Sequence, residues 1–222
     1  MRTLDEVDLN SILWTSVKRE GLDLDYAVAL PASIANSVFE ELENTLEYFT
    51  GELTYIRVFG KTYPLPRQQV AYGDPGITYT YSGITVPALP WPEPVLALRN
   101  FLFRLKGLKY DFVLINKYRN GNDHMGEHRD NEPELDPDYP IASISLGQER
   151  QFILKHKDAR RPGKEKKLIP TVKLTLENGS VLLMNSPTND VWYHSLPVRK
   201  KLMGARINLT FRKMKNYSKL SK

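Results

Sequence analysis

The sequence predicts one domain over residues 1–222, mainly β with flanking helices (α+β). Three observations lead there. Amphipathic helical stripes are confined to the first half, the hydrophobic period falls from 3.6 to two after Phe112, and seven short apolar or alternating runs follow with no helical pattern between them. Such a run of strands suggests a sandwich, barrel or jelly roll. All-β units of this length occur as single domains.

Taken in order, residues 1–53 form an acidic segment, with three basic against 11 acidic groups, and are expected to be helical. Within it, Ala32 to Tyr48 places Ile34, Val38, Phe39, Leu42 and Leu46 on one helical face and Glu40, Glu43 and Glu47 on the other. Residues 54–90, rich in Tyr, Pro and Gly, read as irregular strands and loops. After the proline cluster LPWPEP a second helix carries Val95, Leu98, Phe101, Leu102 and Leu105, with Gly107 as its stop. Residues 110–214 hold the β core: FVLINKYR, IASISLG, QFILKHK, TVKLTLE, SVLLMN, VWYHSLP and RINLTFRK, with a tight-turn signal at Glu177-Asn178-Gly179-Ser180.

The absence of cysteine excludes disulfide scaffolds, thiolate zinc sites, iron–sulfur clusters and cysteine nucleophiles, and it suits a reducing compartment. No apolar run reaches the roughly 18 residues of a membrane span, and MRTLDEVDLN lacks a signal-peptide pattern. A soluble, intracellular protein with no membrane partner is therefore expected. Residues 54–222 carry 28 basic and 15 acidic groups, most sharply in KHKDARRPGKEKK from Lys155 to Lys167. That density suits a polyanion partner; a solvated loop or a nuclear import signal explains it equally. Clusters at Arg199, Lys200, Lys201 and at Lys213, Lys215, Lys219, Lys222 add separate cations of the kind that neutralise phosphates.

Four histidines bear on chemistry: His124, His128, His156 and His194. In GEHRDNE, His128 and Asp130 leave the same face of an extended segment, and His194 in WYHSLP could complete a 2-His-1-carboxylate facial triad for Fe(II). Alternatively His128 is a surface loop histidine and His194 a hydrogen-bonded core histidine. His124 to His128 also matches the H-x-x-E-H zinc-peptidase pattern, which works only on a helix; Gly126 and the flanking Gly121, Pro133 and Pro137 argue against one. On the last strand Arg206, Asn208, Thr210 and Arg212 alternate with Ile207, Leu209 and Phe211. This polar face meets solvent, or it points into a barrel mouth where two guanidinium forks grip a dicarboxylate. Asn116 and Tyr118, two apart on another strand, would supply neutral donors to that ligand.

NKYRNG, HRDNE, HSLPVRKK and RINLTFRK, in that order and spacing, resemble the AlkB family of Fe(II)/2-oxoglutarate nucleic-acid dealkylases. RVFGK, PLPRQQ and YGDPGITYTYSG narrow the likeness to its homologue 2 branch, nuclear enzymes acting on duplex DNA; the similarity runs from about residue 20 to residue 214. The resemblance implies a double-stranded β-helix (jelly roll) with N-terminal helices and a nucleotide-recognition lid, the finger and lid falling in residues 54–90. It implies His128, Asp130 and His194 as iron ligands, and Arg206 and Arg212 as 2-oxoglutarate anchors beside Asn116, Tyr118, Asn208 and Thr210. Fe(II), 2-oxoglutarate and O2 would then oxidatively demethylate 1-methyladenine- and 3-methylcytosine-type bases in double-stranded DNA, releasing formaldehyde.

A base inside a duplex has to be flipped out to reach such a centre. The resemblance makes Val58, Phe59 and Gly60 the finger that fills the gap, although Val58 and Phe59 are otherwise ordinary strand core. Tyr79 and Tyr81 would stack the base against His128, Asn131 would read it, Arg67 and Gln69 would touch the displaced or flipped nucleotide, and Arg160, Arg161 and Lys164 would grip phosphates. Two departures stand out: Asn131 where the branch has a second acidic residue, and Tyr81 where it has Phe. The competing readings are an RNA or single-stranded DNA demethylase of the same family and a non-catalytic duplex-DNA-binding protein. A nuclear monomer is expected.

Overall fold

A computed structural model describes residues 3–58, 60–81, 83–160, 163 and 167–215. Phe59, Arg161, Lys164 and the side chain of Val58 lie outside the described residues. All seven predicted runs are strands: β8 (Phe112–Tyr118), β10 (Ile141–Gly147), β11 (Arg150–His156), β12 (Val172–Leu176), β13 (Ser180–Met184), β14 (Trp192–Leu196) and β15 (Arg206–Arg212). They are joined by β1 (Thr15–Arg19), β2 (Leu22–Val28), β5 (Gln68–Gly73) and β9 (Met125–His128). One antiparallel sheet runs β1-β2-β13-β10-β15-β8-β5 and a second runs β12-β11-β14-β9. The result is a mixed α/β fold whose large antiparallel core is consistent with a double-stranded β-helix. Two small hairpins, β3 (Tyr55–Val58) with β4 (Lys61–Pro64) and β6 (Thr78–Tyr81) with β7 (Ile84–Pro87), stand outside these sheets.

The predicted helices are α1 (Ala32–Thr45) and α2 (Glu93–Lys106). Leu42 and Leu98 are fully buried, in one cluster with Ile115, Ile144, Ile207, Leu209 and Phe211. Each such side chain contributes about 1.5–3 kcal/mol by leaving water. Gly107 ends α2 in the left-handed region (φ 71°), donating its N–H to Phe103 O at 2.7 Å. Because Ile207, Leu209 and Phe211 face the helices, strand alternation turns Arg206, Asn208, Thr210 and Arg212 toward the second sheet. Every residue of β15 is buried, so the solvent-facing reading of this polar row is corrected.

Residues 1–53 also differ from the helical expectation, for β1 and β2 form a hairpin extending the larger sheet. Leu22 and Leu24 are buried between half-buried Asp23 and Asp25, a period of two that the acidic composition masked. The turn at Glu177 to Ser180 forms, with Ser180 N donating to Glu177 O at 3.2 Å and Gly179 at φ 78°. It is not a hairpin turn, because β12 and β13 belong to opposite sheets. Among the described residues no helix is long and apolar enough to cross a membrane.

The loop entering β9 is tightly held. Arg150, 2% exposed, donates to the carbonyls of Asn120 (3.2 Å), Asp123 (2.9 Å) and Pro197 (2.8 Å). Asp123 accepts two bonds from the Arg119 guanidinium at 2.8 Å each and one from its backbone N–H at 2.9 Å. Gly121 lies so close to Arg199 that a Cβ would sit 1.8 Å from the Arg199 carbonyl oxygen, so only glycine fits there.

Candidate active site

The last residue of β9 and the middle of β14 bring His128 and His194 opposite one another as register partners, ring centroids 4.3 Å apart. Asp130, two residues on, turns its Oδ1 to 3.4 Å from His128 Nε2 and 4.0 Å from His194 Nε2. One ligand atom from each lies within 4.8 Å of the others. His128 Nδ1 is 3.0 Å from Gly126 O, which fixes the ring and leaves Nε2 for a metal. Burial and then neighbouring His128 push His194 down to about 3, so it is a neutral imidazole with a free lone pair. Burial drives the Asp130 carboxyl upward, but Arg212 and the two histidines outweigh it and hold it well below the usual carboxylate range. Residues 125–128 are a strand, so the helical zinc-peptidase geometry is absent.

A cavity of about 450 Å³ lies against this triad. It takes in all six expected co-substrate residues, Asn116, Tyr118, Arg206, Asn208, Thr210 and Arg212, as well as Arg67, Gln69, Tyr79 and Tyr81. Arg206 is 2% exposed, donates to Ser145 Oγ at 2.9 Å and leaves its buried Nε without a partner among the described residues. Burial pulls this guanidinium down to about 10. Among the described residues no carboxylate pairs with it, and a buried cation so placed is costly unless an anion joins it, which fits the distal carboxylate of 2-oxoglutarate. Arg212 differs: its Nη2 donates to Asp130 Oδ2 at 2.8 Å, while its buried Nε is also free of a partner. Asn208 donates to Ser143 Oγ (2.7 Å) and Ile144 O (2.9 Å), so its hydrogens brace β15 against β10.

Outside the cavity, Asn131 is exposed and lines a separate shallow depression. Glu132, which sequence reasoning missed, faces the cavity with Glu127 and Asp130. Burial, reinforced by Asp130, raises its carboxyl. Tyr79 is 1% exposed, stacked with Tyr81 at 5.6 Å and beneath Arg212 at 5.1 Å. Gly60, apart from the cavity, has φ 77°. Arg160 lies on the outside, bonded to Glu127 Oε2 at 2.7 Å and packed 3.8 Å over the Tyr193 ring.

A facial triad and a buried arginine strand facing each other between two antiparallel sheets define an Fe(II)/2-oxoglutarate-dependent dioxygenase. Residues 27–212 match the family model described as the 2OG-Fe(II) oxygenase superfamily. Within it the chain belongs to the AlkB family. It is 48% identical over 209 residues to DNA oxidative demethylase ALKBH2 of Mus musculus, covering 93% of this chain and 86% of that protein. To the Homo sapiens protein of the same name it is 48% identical over 201 residues, covering 90% and 77%. Alpha-ketoglutarate-dependent dioxygenase alkB homolog 3 of Homo sapiens is 36% identical over 152 residues, covering 68% and 52%. A solved structure titled "The structure of OsALKBH1" superposes with TM-score 0.53 at 19% identity, covering 90% of this chain and 100% of that one, a likeness of fold alone.

Proposed function

We propose that this enzyme removes N-linked methyl groups of the 1-methyladenine and 3-methylcytosine type from bases in double-stranded DNA, acting on a base flipped out of the helix. The observation that carries the proposal is the single cavity in which the triad, the unpaired Arg206 and the lid tyrosines meet. The 48% identity to proteins named DNA oxidative demethylase supports the substrate class. Ferrous iron with 2-oxoglutarate and O2 supplies the oxidising power that hydroxylates the methyl carbon, after which the hemiaminal collapses to formaldehyde and the restored base.

The chain's own residues position and shield. Arg206 holds the distal carboxylate of 2-oxoglutarate, with Asn116 and Tyr118 as neutral partners from the adjacent strand. Arg212 steadies Asp130, and His194 stays neutral inside the barrel. The β6–β7 hairpin is the lid, its Tyr79 and Tyr81 forming the apolar wall against which a flipped base stacks toward half-exposed His128. Glu132 faces that base in place of Asn131 and accepts from its exocyclic amine. Val58, Phe59 and Gly60 form the wedge that enters the duplex, and the basic loop of Arg160, Arg161 and Lys164 meets phosphates in a nuclear setting.

The test is mass-spectrometric loss of the methyl group from a duplex oligonucleotide carrying one 1-methyladenine, with Fe(II), 2-oxoglutarate and ascorbate present and each omitted in turn. Loss of the methyl group only when both iron and 2-oxoglutarate are present is expected. Turnover of 2-oxoglutarate with the methyl group intact would reject the substrate and leave the enzyme class standing.

A further inference from the structure

We propose that Tyr81, Gln69 and Asn116 form a polarised hydrogen-bond relay through which the lid orients a 2-oxoglutarate-binding amide, so that lid and co-substrate stabilise one another. This rests on the co-substrate pocket assigned above. Tyr81 Oη donates to Gln69 Oε1 at 2.5 Å, Gln69 Nε2 donates to Asn116 Oδ1 at 2.6 Å, and Arg67 Nε donates to the same oxygen at 2.9 Å. The three residues come from the β6–β7 hairpin, β5 and β8, with Gln69 and Asn116 register partners across the sheet.

The direction of the relay follows from the donor inventory. Arg67 offers only donors, so Asn116 must turn its oxygen toward Arg67 and Gln69. Two donors occupy both lone pairs of that oxygen. Nδ2, on the opposite branch of the planar amide and with no acceptor among the described residues, becomes the donor Asn116 offers to the cavity. Gln69, 3% exposed, spends its Nε2 on Asn116, which leaves Oε1 to be satisfied from the lid. The Tyr81 hydroxyl does so. A phenyl ring at position 81 keeps the stacking surface and removes this donor, leaving a buried amide oxygen unpaired and its orientation unspecified. Tyr81 is thus a positioning residue for the co-substrate, acting through Gln69 and Asn116 in addition to forming the wall of the base pocket. Coupling of this kind is reciprocal, so bound 2-oxoglutarate must steady the hairpin as much as the hairpin steadies the amide.

The experiment is calorimetric titration of 2-oxoglutarate into the full chain loaded with Mn(II), comparing wild type, Tyr81→Phe, Gln69→Leu and the double variant, with Thr80→Ala on the same hairpin as control. Tyr81→Phe should weaken 2-oxoglutarate binding on the order of fivefold, the worth of one neutral hydrogen bond. The double variant should bind no more weakly than Gln69→Leu alone, because both changes cut the same relay. In wild type, 2-oxoglutarate should slow amide exchange across residues 78–87, and in Tyr81→Phe that protection should vanish while the melting temperature stays within a few degrees. Unchanged affinity in Tyr81→Phe, or additive losses in the double variant, overturns the relay alone. A wild-type chain that binds no 2-oxoglutarate overturns the pocket together with the relay.

Discussion

Arg212 Nη2 donates to Asp130 Oδ2 at 2.8 Å with both side chains buried, so the strand that lines the co-substrate pocket also holds a metal ligand in place. The guanidinium supplies, inside the barrel, the positive charge that lets Asp130 stay ionised before any metal arrives. Breaking such a buried pair from one side leaves an uncompensated charge, at a cost of about 3–5 kcal/mol. Arg212→Leu should therefore destabilise the metal-free chain by that order and the Mn(II)-loaded chain by clearly less, because the metal replaces the missing cation. Chemical denaturation of both forms measures the difference; equal losses would reject the account.

Arg206 has the opposite balance, a buried cation with no acidic partner among the described residues. Arg206→Met should leave the melting temperature of the metal-free chain unchanged or raise it, by about 1 kcal/mol or more of stability, while abolishing 2-oxoglutarate binding. A large drop in stability would mean that the guanidinium is structural.

Asp130→Ala removes one of three metal ligands and should abolish 2-oxoglutarate turnover while duplex affinity persists within about threefold at fixed salt. Oxygen consumption and gel retardation on the same preparation separate the two. Surviving turnover would overturn the iron assignment.

The wedge assigned to Phe59 makes a substrate-dependent prediction. Phe59→Ala should lower demethylation of duplex at least tenfold more than demethylation of single strands, since only the duplex has a gap to fill. Equal losses on the two substrates would remove the finger.

Phosphate contact by the basic loop predicts a steep fall in affinity for undamaged duplex as salt rises, with a slope reduced by about one for each phosphate-contacting cation removed. Arg160→Ala should change the slope by less than about one, because Arg160 is already paired with Glu127. A larger effect of Arg160→Ala would show that the Glu127 pair opens on DNA.

The β core was legible because each strand carries its own apolar alternation, which needs no knowledge of its neighbours. The triad was legible for a related reason: His128 closes a strand and Asp130 follows two residues on, and His194 is one of only three further histidines. The hairpin at residues 15–28 was missed because Asp23 and Asp25 gave the segment an acidic cast that hid Leu22 and Leu24. Glu132 was not singled out because the loop that carries it past the end of β9 has no periodic pattern to show which residues turn into the cavity. The three carbonyls that hold Arg150 could not be read at all, since backbone oxygens carry no sequence signature.

The two histidine ligands stand on unequal footings. His194 belongs to a strand paired on both sides, whereas His128 ends a four-residue strand at the rim of its sheet, joined to one neighbour through an irregular register. Rim strands fray more readily than flanked ones, so His194 and Asp130 form a standing half-site and His128 is the clasp that shuts it. A metal held by His128 and His194 would therefore tie this rim strand to its flanked neighbour. Such a metal would act as a rivet, fastening the rim of the barrel beside the cavity.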